Sequence, residues 1–341
     1  MKPTLQLRRA GLAAALAAAL ALGAGAAPVS GASAAGAGSA NAAPTDADRP
    51  QPARRSDDAL HSLLLGSARA GTRIVAVGER GVVLLSDDDG KSYRQAAAVP
   101  VRSTLTAVSF ADPQHGWAVG HDGVVLASAD GGEHWTLQRR DTAVDQPLFS
   151  VLFTSASSGW ACGLWSLLLH TDDGGQHWET VTLPAPDGAR RADRNLYRLF
   201  ADPNGALYIA AERGSVLRSA DGGASWRYLD TGYRGSLWAG TALADGTLLV
   251  AGLRGSLYRS ADAGASWQPV DSGIRSSITD LVASGRKIRA SALDGNTLAS
   301  DDAGASFSHA QRDDRPTLTT LVTASDGRAL LFGRSGPLAQ R

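Results

Sequence analysis

Six copies of one eight-residue pattern set what this chain can fold into: a hydroxyl residue, any residue, Asp, then Gly, Ala or Asp, then Gly, two residues and an aromatic. They run Ser86–Tyr93, Ser128–Trp135, Thr171–Trp178, Ser219–Trp226, Ser260–Trp267 and Ser300–Phe307. Each position has a mechanical role in a tight hairpin. The hydroxyl and the carboxylate can bond turn amides that would otherwise lack partners. The fifth-position glycine supplies backbone angles that other residues resist, and the aromatic folds back as a hydrophobic plug. These glycines (Gly90, Gly132, Gly175, Gly223, Gly264, Gly304) are spaced by 42, 43, 48, 41 and 40 residues. That period overrides the two ordinary domains that 341 residues alone would suggest.

Within each unit the order is constant. An apolar strand such as Leu105–Phe110 is followed by a short one around Gly116–Gly120, a turn, a third strand such as 123–128, the octet, and a fourth strand leaving its aromatic. Alternation and β-branched content support strands, with Gly/Asp clusters at hairpin distances between them. Four short antiparallel strands per unit of this length make a propeller blade. A seventh unit starts at Leu318 and continues through Ala329–Gly333 without an octet. Leu60 to Arg341 is 282 residues, about 40 for each of seven units. The expectation is therefore an all-β, seven-bladed propeller over residues 59–341, with six blades plus a tail as the alternative. Residues Pro52–Asp58 are expected to supply the missing outer strand of the last blade, although two prolines make that a poor strand.

Ahead of the repeats, Lys2, Arg8 and Arg9 precede the uncharged Ala/Leu run Ala10–Ala27, and small-residue cleavage sites follow at 32–34 and 40–42. This reads as an export signal over residues 1–34 and a periplasmic mature protein; a retained membrane anchor is the alternative. Residues 35–58 are rich in Ala, Gly, Ser, Pro and charge, and read as a disordered linker. Lys+Arg and Asp+Glu are both 33, which gives no support to nucleic-acid binding, and nearly all the cations are arginine. The single cysteine, Cys162, permits no intrachain disulfide and reads as a small buried side chain. The seven histidines show no metal-ligand spacing, so neither metal nor cofactor is expected.

The octet is the Asp-box of sialidase-like repeats. The fuller unit Gly116-Trp-Ala-Val-Gly120, then Gly123-Val-Val-Leu126, then Ser128-Ala-Asp-Gly-Gly-Glu-His-Trp135 resembles the photosystem II stability/assembly factor family. The resemblance spans about Leu60 to Arg341. It implies an exported seven-bladed propeller that helps to assemble membrane protein complexes. An arginine-rich patch of photosynthetic members has its nearest counterpart at Arg275-Ser276-Ser277.

The aspartates of the octets (Asp88, Asp130, Asp173, Asp221, Asp262, Asp302) read as structural, because a residue repeated at one turn of every blade lies on a ring and does not converge on a point. The arginines are more informative. In a propeller, the loop leading into a blade and the turn between its second and third strands open on one face. Arg102, Arg234, Arg275 and Arg315 each stand three residues before a blade's first large apolar residue, and Arg190, Arg191 and Arg194 lie ahead of the fourth blade. Arg80, Arg213 and Arg254 each precede a glycine in the second class of turn, with Arg334 nearby. Two loop positions thus point arginine at one face, suited to carboxylates through forked hydrogen bonds. The opposing reading is a merely soluble surface neutralised by Asp122, Asp145, Asp193, Asp294 and Asp314. Trp165 and Trp238 lie beside loops, where a tryptophan can anchor a partner; core packing is the opposing reading and the one expected first.

The leading expectation is a non-catalytic, monomeric binding scaffold for an exposed loop or tail of a membrane protein, an acidic one matching the arginines. The alternative is a sialidase-like glycoside hydrolase. For that, Arg73-Ile74-Val75 stands where such enzymes carry Arg-Ile-Pro, and Tyr208 with Glu212 is the close Tyr–Glu pair.

Overall fold

The computed structural model describes residues 50–339. The export-signal reading and most of the linker lie outside the described residues. Seven antiparallel sheets follow one another along the chain. Blade 1 comprises β1 (Leu64–Ala70), β2 (Arg73–Gly78), β3 (Val83–Ser86) and β4 (Arg94–Gln95). Blades 2 to 6 repeat this with first strands β5 (Leu105–Phe110), β9 (Leu148–Phe153), β13 (Leu196–Ala201), β17 (Leu237–Ala242) and β21 (Ile278–Ser284). Blade 7 holds β25 (Leu318–Thr323), β26 (Ala329–Gly333) and β27 (Gly336–Pro337). Neighbouring first strands touch all the way round the ring, with β25 against both β21 and β1. The last sheet is therefore a true seventh blade and not a tail.

The second strands of blades 2 to 5 are buried along their whole length, for example Trp117, Ala118 and Val119 in blade 2. They read as continuous apolar runs because both faces of each blade pack on neighbouring blades. The octet plugs those seams. Trp226 of blade 4 meets Trp160 of blade 3 edge-on at 5.8 Å between centroids, and Tyr93 of blade 1 meets Phe332 of blade 7 at 5.8 Å. Cys162 is fully buried in the third blade's second strand, and burial raises its thiol far above the usual range.

Closure differs from the expectation. Residues 52–58 do not pair with blade 7. Ala53 N–H donates to Val99 O at 2.9 Å, Gln95 Nε2 to Arg54 O at 2.9 Å and Arg102 Nε to Pro52 O at 3.1 Å. These bonds hold residues 52–54 to the side of blade 1, and the 3-10 turn Asp57–His61 that follows touches both β4 and β27. A proline has no N–H to give a sheet ladder, and a segment held by one backbone amide and by the Gln95 and Arg102 side chains escapes that limit. The seam between blades 7 and 1 is bonded at the inner strands, where Thr319 Oγ1 donates to Leu64 O and lies 3.2 Å from Phe332 O, and at the octet end, where Asp89 accepts from Ser325 N and Oγ. Thr319→Val leaves buried carbonyls short of a donor at this seam. It is expected to cost about 1–3 kcal/mol in urea unfolding, whereas an open ring would register almost nothing.

Candidate protein-binding face

In every blade the first residue of the inner strand pairs with the last residue of the second: Leu64 with Gly78, Leu105 with Gly120, Leu148 with Gly163, Leu196 with Ala211, and so on to Leu318 with Gly333. The lead-in loop and the turn after the second strand therefore share one end of each sheet, as the sequence implied. The octets, between third and fourth strands, occupy the opposite end. One backbone bond joins the two loops in each blade, such as Glu79 N–H to Leu63 O at 2.9 Å and Leu253 N–H to Ser236 O at 3.1 Å.

The turn after the second strand is a two-residue type I′ hairpin, which needs φ > 0 at both central residues. Its first central residue in blades 1 to 6 is Arg80, Asp122, Trp165, Arg213, Arg254 and Asp294, with φ between 52° and 59°. Asn, Asp and Gly tolerate this conformation; arginine and tryptophan do not favour it. The sequence identified the three arginines as a class. Only the fold shows that Asp122, Trp165 and Asp294 are their structural equivalents.

Arg80, Arg190, Arg191, Arg213, Arg254, Arg275 and Arg315 are exposed and enter no ion pair among the described residues. Arg102 is also exposed, with its Nε on Pro52 O. Arg234 pairs with Asp230 at 3.2 Å. Arg194 departs from expectation: its side chain is only 13% exposed, packed beside Asp193. Nor is the ring continuous in charge. Asp122 and Asp294 interrupt it, but they accept hydroxyl bonds from Ser103 (2.6 Å) and Ser276 (3.0 Å) and do not neutralise an arginine. Where the N-terminal segment crosses blade 1, Arg54, Arg80 and Arg102 line a cavity of about 290 Å³ together with Asp58 and Ser62.

Each inner strand carries a bulge just after its first residue, so one residue per blade is released from the ladder near this face. In blade 2 that residue is Thr106, whose hydroxyl reaches Leu148 O of the next blade at 2.6 Å. In blades 3, 4 and 5 it is aromatic: Phe149, Tyr197 and Trp238, all half-buried. Phe149 and Tyr197 stack at 5.8 Å, and burial together with Glu212 pushes the Tyr197 hydroxyl up to about 12. Sequence reading found Trp238 but missed the other two, since the bulge column emerges only from the register.

At the opposite end the octet aspartates are structural. Asp221 accepts from Ser219 Oγ (2.7 Å), Ser225 N (2.9 Å) and Ser225 Oγ. The seventh octet position completes every box, as Ser92, His134, His177, Ser225, Ser266 or Ser306, so it is always a residue able to bond the aspartate rather than a free position. The seryl bonds hold Asp88, Asp221 and Asp262 at about 2. Asp173 and Asp302 are held lower still, and Asp130 is lowered against the opposing effect of its partial burial. An unfolded aspartate titrates near about 4. The folded state thus binds these protons more weakly, and the stabilisation is complete above that value and lost as pH falls through the folded values. Thermal stability should be flat above about pH 5 and fall steeply from about 4 towards 2; a melting temperature that holds to pH 2 would contradict this role.

The residues of the hydrolase alternative are not brought together. Arg73 lies at the octet end, bonded to Asp87 at 2.5 Å and 3.7 Å from Glu133. Tyr208 is buried with its hydroxyl on Asp202 (3.2 Å), whereas Glu212 accepts from Asn195 N and Nδ2 at the other end of the blade.

Fold and loops together define an Asp-box propeller with one arginine- and aromatic-bearing loop face. A family model described as photosynthesis system II assembly factor YCF48 matches residues 95–281, just over half of the chain. The chain belongs to this assembly-factor family. Among solved structures, YCF48 bound to a D1 peptide is similar at 17% identity and a TM-score of 0.66, over 84% of this chain and 94% of that one. YCF48 from Cyanidioschyzon merolae is similar at 18% identity and 0.65, over 82% and 94%. No curated protein matches the chain.

Proposed function

We propose that this chain is an exported, non-catalytic scaffold that binds an exposed segment of a membrane protein during assembly of its complex. The observation that carries the reading is that two separate loop classes deliver seven exposed arginines, none in an ion pair among the described residues, to one end of the propeller. Unpaired guanidinium groups held on short turns are suited to forked bonds with carboxylates. A YCF48 of the same fold has been solved with a bound peptide, which supports a peptide-binding role for this family member. Export is supported by the charged start and apolar run of residues 1–27. The engagement of Tyr208 and Glu212 in separate structural bonds supports a non-catalytic role.

A tagged pull-down from solubilised membranes tests this, comparing the native chain with Arg213→Ala/Arg254→Ala. One membrane protein recovered with the native chain and lost with the variant is the expected result. Equal recovery with both would remove the arginine face from the account.

A further inference from the structure

Two of the three large apolar side chains left open on the described surface share one end of blade 3: Val144 at 50% exposure and Trp165 at 55%. They belong to the lead-in loop and the hairpin turn, joined by Gln146 Nε2 donating to Leu164 O at 2.9 Å. The Trp165 turn is unlike the others. Ser166, with φ 59°, stands where the turns of blades 1, 2, 4, 5 and 6 have a glycine, so both central residues are left-handed without one. The turn is held from blade 4, whose Asn195 Oδ1 accepts from Trp165 N (3.0 Å) and whose Arg194 O accepts from Ser166 N (2.7 Å). Two adverse backbone conformations are thus fixed by bonds whose result is an indole standing in solvent. Adverse backbone of this kind is retained where a site needs it.

The indole does not stand alone. Asn195 also donates to Glu212, which lies 3.3 Å from the Tyr197 hydroxyl, and Tyr197 stacks on Phe149. With Trp238 in blade 5, these side chains form an aromatic arc across three blades of the same face. Its polar flank is arginine: Arg190 and Arg191 in the lead-in loop of blade 4, Arg213 and Arg254 in the turns of blades 4 and 5. A surface made only for charge has no use for a half-buried aromatic arc ending in an exposed indole, and a purely apolar one has no use for four unpaired cations around it.

We infer that blades 3 to 5 hold the specificity site of the face: it takes an extended acidic segment carrying at least one large apolar side chain. The apolar side chain packs on Trp165 and Val144, and the carboxylates reach the flanking arginines. Rigid aromatics make effective anchors because little rotamer freedom is lost on contact. The inference rests on the partner-binding reading of the same face and deepens it.

The test uses the full propeller and three labelled 12-residue peptides in fluorescence polarisation at low salt. One alternates glutamate with phenylalanine or leucine, a second replaces the apolar residues by serine, and a third replaces glutamate by glutamine. The first should bind at least tenfold more tightly than either of the others. Trp165→Ser should weaken the first at least tenfold, leave the serine peptide unchanged and not lower the melting temperature; Val144→Ser should act in the same direction by a smaller factor. If both acidic peptides bind alike and Trp165→Ser changes neither, the apolar anchor is overturned while the arginine face stands. If neither acidic peptide binds, the reading of the face falls and takes the inference with it. A large drop in melting temperature for Trp165→Ser would mark the indole as structural and overturn its proposed role.

Discussion

Replacing Arg80, Arg213 and Arg254 together by asparagine is expected to stabilise the propeller and to weaken its hold on a partner. All three sit at the first central position of a type I′ turn with φ of 56°, 56° and 59°. A left-handed conformation costs an ordinary L-residue about 1–2 kcal/mol, and asparagine is among the residues these turns prefer. None of the three guanidinium groups makes an ion pair among the described residues, so nothing in the fold is lost with them. Relief of roughly 0.5–1 kcal/mol at each turn would raise the melting temperature by a few degrees in a domain of this size. On the binding side, a hydrogen bond to a charged group is worth about 1.5–3 kcal/mol. Loss of even one such contact lowers affinity about tenfold or more. Calorimetry and a binding isotherm on the same variant should therefore move in opposite directions. A fall in both would show that the arginines hold the turns in place.

Trp226→Ala should do the reverse and reduce stability through the whole ring. The indole is 8% exposed, closes the blade 4 octet and packs edge-on against Trp160 of blade 3. Deleting a buried tryptophan costs about 3–5 kcal/mol, because the site relaxes only partly around the cavity. Gly223 reinforces this: a Cβ there would lie 2.1 Å from Trp160, so the octet turn and the Trp160 ring are fitted to each other. Denaturant unfolding should show the loss with little change in slope. At temperatures where the variant stays folded, partner affinity should be unchanged, since Trp226 lies at the octet end. A cost under about 1 kcal/mol would contradict the plug role.

What was legible in the sequence follows from how local each feature is. The octets are closed within eight residues by their own hydroxyl, carboxylate and glycine, so period and spacing announced blades and faces together. The hairpin arginines were legible for the same reason, each lying directly before its glycine. Features that depend on a neighbouring blade were hidden. Arg194 looks like any loop arginine, and only the packing of its loop against the blade 3 turn turns it inward. Phe149 and Tyr197 read as ordinary strand residues until the bulges align them with Trp238. Counting strands places residues 52–58 at the outer edge of blade 7, but Ala53 and Arg54 bond to Val99 and Gln95 on the side of blade 1.

The most direct test of the account is photo-crosslinking from the two ends of one blade. A photoreactive residue would replace Arg254 in the blade 5 hairpin turn or, in a second chain, Ala265 in the octet turn of the same blade, both exposed. Each chain would then be illuminated with native membranes. The account predicts a crosslinked membrane protein from position 254 and none from position 265. Crosslinks from 265 alone would place the partner at the octet end and contradict the assignment of the arginine face.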